Sequence, residues 1–124
     1  MQPDDASSPS AWLRIACSEL AAAAAESPGV LPGTRCHLAQ QAAEKAIKAV
    51  YAARGAEHPR IHEIHTLLAG LDDVPPEVLR AAVLSDYIVS GRYPDDLPDA
   101  QASEADEAIT LAQTVIEWAQ RESA

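Results

Sequence analysis

Three short stretches hold the side chains that could do chemistry. His58, His62 and His65 are spaced H-x3-H-x2-H. Neutral imidazole is a good zinc ligand, and His62 and His65 would share a face of one helix. However, Pro59 interrupts the run, no cysteine stands beside it and no fourth ligand is assigned. The expectation is therefore no metal and no other cofactor, with His62 supporting a helix start and His58 and His65 in solvent. The second stretch is Gln41, Glu44, Lys45 and Lys48. These residues could cradle a phosphate or a partner's carboxylate. Alternatively they form a solvated face, with Gln41–Lys45 and Glu44–Lys48 as ordinary i,i+4 neighbours. The third is Arg92-Tyr93-Pro94-Asp95. Arg92 there is either an anion-binding guanidinium or a cation favoured by the end of a helix. No Ser/His/Asp or Cys/His arrangement, glycine-rich phosphate loop or paired-carboxylate motif stands out.

The element that must position most of these groups is the run from Arg35 to Arg54, which has no Gly or Pro. Its strong helix formers predict one helix of about five turns. Leu38, Ala42, Ala43, Ala46, Ile47, Ala49, Val50 and Ala53 fall on one half of the wheel. His37, Gln40, Gln41, Glu44, Lys45, Lys48 and Tyr51 fall on the other. An apolar half made mostly of alanine lets neighbouring helices approach closely, as a central helix requires.

Around it, residues 1–9 are expected to be a disordered tail and residues 10–121 a single helical domain. Ser10 is the expected N-cap of a first helix ending near Glu26, with a loop running through Pro32-Gly33. After a break at Gly55 and Pro59, a short helix is predicted from Ile61 or His62 to Ala69, with Ile64, Leu67, Leu68 and Leu71 on its core face. Pro75 or Pro76 starts a fourth, ending near Gly91, with Leu79, Ala82, Val83 and Val89 as buried candidates. Ser103 with Asp106 marks the last helix, which runs to about Arg121. It carries two apolar stripes: Ile109, Ala112, Ile116 and Ala119, and Leu111, Val115 and Trp118. The second stripe predicts packing beyond its own bundle.

The chain has 124 residues, 48% of them apolar, enough for one domain with a real core. It lacks alternating β-branched runs, so the expected class is all-α. A formal net charge of −10 repels phosphate backbones and argues against an autonomous nucleic-acid binder. Cys17 and Cys36 form no metal or redox pair and are expected reduced, in or near the core. No apolar run approaches membrane-spanning length, and Met1-Gln2-Pro3-Asp4-Asp5 has the wrong charge for a signal peptide, so a cytoplasmic protein with no membrane contact is expected.

Three blocks, in order and properly spaced, resemble the HEPN family (higher eukaryotes and prokaryotes nucleotide-binding). They are the segment from His37 to Ala49, similar to the family's QAAEKAxKA helix; Pro59-Arg60-Ile61-His62-Glu63-Ile64, similar to its "tHdL" helix start; and Tyr87 through Arg92-Tyr93-Pro94-Asp95, similar to its "aRYPd" block. The resemblance implies an antiparallel, up-and-down bundle of four to five helices, commonly a homodimer. Many members are encoded beside, or fused to, a minimal nucleotidyltransferase domain, some in toxin–antitoxin-like two-component systems. Some are toxins that cleave RNA without metal, using an Arg followed a few positions later by a His. Here no histidine follows Arg92, so that pair is missing. The resemblance therefore implies a non-catalytic domain that dimerises, binds a nucleotidyltransferase partner and presents a nucleotide-sized pocket. The rival is a metal-independent endoribonuclease toxin with a diverged site. The candidate nucleotide- or partner-binding residues are His37, Gln41, Lys45, Lys48, His62, Glu63, Arg92, Tyr93 and Asp95.

Overall fold

The computed structural model describes residues 8–25, 27–85 and 100–124. Helix α1 spans Pro9–Ala24, α2 Pro32–Ala53, α3 Ile64–Ala69, α4 Pro76–Leu79 and α5 Ala102–Glu122; a 3-10 segment, Arg80–Ser85, continues α4. The described residues form an all-α bundle of five helices. Among the described residues no helix is long and apolar enough to cross a membrane.

Prolines move two of the expected helix starts. Ser8, not Ser10, caps α1, its Oγ accepting from the Ala11 N–H at 3.2 Å, with Pro9 in the first turn. Pro32 likewise opens α2 one turn before the expected Arg35. A first-turn proline loses no helical hydrogen bond and arrives with a helical φ.

Two arginines tie the helices around α2. At its start, Arg35 donates from Nε to the Ala23 carbonyl at 2.8 Å and from Nη2 to Asp106 at 3.4 Å. At its end, Arg54 donates to the Asp72 carbonyl at 2.9 Å and to Glu122 at 2.7 Å. Thus the start of α2 meets the end of α1 and the start of α5, and the two long helices finish together. Helix α1 is antiparallel to both α2 and α5. The α3–α4 leg returns the chain so that α5 runs alongside α2 in the same direction.

The core is alanine-rich where the long helices meet, with Ala16, Ala23, Ala39, Ala42, Ala46, Ala108 and Ala112 all fully buried. Small side chains bring backbones close; Ile47, Val50, Val115, Ile116 and Trp118 fill the remaining space. Val115 and Trp118 are buried within the single chain, so the second stripe of α5 is largely consumed by its own bundle. Cys36 is buried as expected, but Cys17 is exposed.

The fourth helix departs most from an α-helical reading. Leu79 and Val83 are exposed, whereas Val78, Ala81 and Leu84 are buried. That spacing is three residues, the period of the 3-10 segment which replaces the α-helix after Leu79. Val89 lies outside the described residues.

Candidate functional site

Helix α2 ends in a Schellman turn. Ala56 N–H donates to the Tyr51 carbonyl and Gly55 N–H to the Ala52 carbonyl, with Gly55 at φ +68°. The turn reverses the chain, so that residues near 58–63 fold back over α2. There Gln40 donates from Nε2 to the His62 carbonyl at 2.9 Å. The expected helical start at His62 is thereby displaced, and α3 begins only at Ile64.

Beneath this loop the polar half of α2 divides in two. Gln40, Glu44, Lys48 and Tyr51 are buried. His37, Gln41 and Lys45 follow the outer line, His37 exposed and the other two half-buried. Both expected i,i+4 pairs form, but only one borders solvent. Lys45 donates to Gln41 at 3.1 Å and to Glu19 of α1 at 3.2 Å, and Gln41 lies 3.5 Å from His37. Glu44 and Lys48 pair at 2.8 Å inside the protein. The reading of this stretch as a solvated face is therefore corrected for Glu44 and Lys48. The physical reason is the returning loop, which covers that side of the helix.

Glu44 is the hub. Its Oε2 accepts from Lys48 Nζ and, at 3.0 Å, from His62 Nδ1. Burial acts most strongly on its carboxyl and favours the neutral acid; the hydrogen bonds and charges of Lys48 and His62 outweigh it, and the carboxyl is held below the ordinary value. Its Oε1, like Gln40 Oε1, is buried with no hydrogen-bond partner among the described residues. Because an ionised carboxylate only accepts, His62 presents an N–H at Nδ1, leaving Nε2 outward on a side chain 73% exposed.

The other histidines go to different partners. His58 packs edge-on against Trp12 and Tyr51, at 5.7 and 6.4 Å between centroids. The Lys48 ammonium lies 5.5 Å from the centre of the same Trp12 ring. His65 Nδ1 lies 3.3 Å from the exposed Glu63 carboxylate. The expectation of His58 in solvent is corrected, since it is half-buried. Among the described residues no group of three His, Cys, Asp or Glu side chains could hold a metal ion. An open pocket of about 630 Å³ lies between Trp12 on α1 and the turn after α2, lined further by Gly55, Ala56, Glu57, His58 and Arg60.

The structure thus brings Lys48 and His62 together through Glu44, and His37, Gln41 and Lys45 along one line; Glu63 stands apart with His65. Arg92, Tyr93 and Asp95 lie outside the described residues. Sequence reasoning missed Glu44 as the centre and Trp12 and His58 as walls of a pocket. A signal existed for the first: Gln40, Glu44 and Lys48 recur at four-residue spacing, a stripe that one covering loop can bury together.

The family model described as HEPN domain matches residues 9–122. The chain belongs to the HEPN domain family. Two solved structures are similar to it. TT1696 from Thermus thermophilus shares 36% identity, with 92% of this chain and 97% of that chain covered and a TM-score of 0.78. ST0689, described as an archaeal HEPN homologue, shares 28% identity over 94% and 98% of the two chains, also with a TM-score of 0.78. No curated protein matches this sequence.

Proposed function

We propose that this chain is a binding module: a HEPN domain that pairs with a second copy, docks a minimal nucleotidyltransferase domain and does not itself cleave RNA. The observation that carries the reading is the state of the α2 lysines. An anion site needs uncommitted cations, yet Lys45 is held by Glu19 and Lys48 by Glu44. The lysines brace the bundle and are not available as a phosphate cradle. The net charge of −10 further weakens capture of RNA. Metal-free cleavage also needs a base and an acid at the 2′- and 5′-oxygens, and no histidine follows Arg92. The partner class comes from the family resemblance, and the pocket beside Trp12 is one place among the described residues where a nucleotide-sized ligand would fit.

The test has two arms. Co-expression with a minimal nucleotidyltransferase encoded beside this chain should give a complex that survives gel filtration. Chelator-treated protein incubated with mixed-sequence RNA should leave it intact. Cleavage by the wild type that Arg92→Ala and His62→Ala both abolish would replace this reading with the ribonuclease.

A further inference from the structure

His62 is held at two points by successive turns of one helix. Gln40 fixes its carbonyl and Glu44 fixes its ring at Nδ1. The carboxylate that holds the ring is itself buried and anchored by Lys48, with a side chain 2% exposed. The imidazole is nevertheless 73% exposed, with the Nε2 edge turned away from that carboxylate. A carboxylate on the far nitrogen fixes the tautomer and raises the electron density of the ring, while the anchors remove the entropy of aiming it. Nothing in a purely structural brace requires the opposite edge of the ring to stay open.

We infer that His62 is a covalent acceptor, taking a phosphoryl group at Nε2 from a phosphoanhydride donor. The Nε2 lone pair attacks phosphorus and the N–P bond forms. The bridging P–O bond breaks, and its electron pair leaves with the departing phosphate. No oxidant or metal enters the balance. The ring becomes an imidazolium whose Nδ1 proton stays in the hydrogen bond to Glu44, so the carboxylate stabilises the charge that attack creates. This inference is independent of the partner and of the oligomeric state.

The chain supplies its own control. His65 is 71% exposed and also meets a carboxylate through Nδ1, but Glu63 is 46% exposed and the contact is longer, 3.3 Å. Exposure is matched; preorganisation is not. The probe is phosphoramidate in mildly alkaline buffer: Nε2 attacks phosphorus, and ammonia departs as the P–N bond breaks. Peptide mass spectrometry under alkaline conditions follows labelling at each histidine. His62 should be labelled about tenfold or more faster than His65. Glu44→Gln should bring His62 down to the His65 rate, and Glu63→Gln should leave His62 unchanged. Equal rates at His62 and His65 in the wild type would overturn the inference without recourse to any variant. A His62 rate unaffected in a folded Glu44→Gln protein would overturn it as well.

Discussion

The Tyr51 hydroxyl occupies the space that a side chain on Gly70 would need. A Cβ at Gly70 would collide with Tyr51 Oη, and Cζ lies 3.5 Å away. The hydroxyl is there because it donates to the Leu67 carbonyl at 2.7 Å, tying α3 to α2. Gly70 has φ −83°, which any residue adopts, so its requirement is for space and not for backbone freedom.

Gly70→Ala should therefore destabilise the protein by about 1–3 kcal/mol, and Tyr51→Phe by about 1 kcal/mol through the lost hydrogen bond. In the double variant the clash is gone, so its cost should fall below the sum of the two. Urea titration of the four proteins measures the coupling. Simple additivity would mean that the hydroxyl and the glycine are not matched.

The Glu44–Lys48 pair makes a pH-dependent prediction. The Glu44 carboxyl lies below its ordinary value of 4.5 because Lys48 and His62 together overcome burial. The folded state then binds fewer protons there than the unfolded chain. Its contribution is complete above the ordinary value and is lost as pH falls through the lowered one. The melting-temperature advantage of wild type over Glu44→Gln should be constant near neutrality and shrink below about pH 4.5. An advantage that grows on acidification would contradict the assignment.

Lys48→Met strands the same carboxylate. At neutral pH it should cost about 3 kcal/mol, since a buried charge loses its counter-ion. Replacing both residues together, Glu44→Leu with Lys48→Met, should recover much of that loss. Thermal melts of the three variants decide it.

Trp118 bears on assembly. Sedimentation equilibrium at micromolar concentration should return about twice the chain mass of 13.1 kDa. Trp118 is 2% exposed within one protomer. Trp118→Ala should therefore lower stability by about 3–5 kcal/mol through a core cavity. Loss of the dimer with the melting temperature preserved would place Trp118 at the interface instead.

The histidines point to separate partners, so purified protein should carry no stoichiometric zinc. Elemental analysis showing one zinc per chain, lost in His62→Ala, would reverse that.

Periodicity, caps and breakers carry information along the chain, and they sufficed for the helical class, the central helix, the α3 core face of Ile64, Leu67 and Leu68, and the pairing of Glu44 with Lys48. These depend on residues within about two turns of one another. The family blocks added the bundle. What the sequence could not decide was which polar residues of α2 see water. A helical wheel puts Glu44 and Lys45 on the same side, yet one is buried and the other borders solvent. The difference is made by the His58–Glu63 loop, which is distant in sequence and is aimed by the Gly55 turn. The 3-10 segment after Leu79 is of the same kind: Leu79 and Val83 are as apolar as Val78 and Leu84. Only packing against the rest of the bundle selects the three-residue period over the α-helical one. Burial is a property of what arrives from elsewhere in the chain, and the tertiary structure alone decides it.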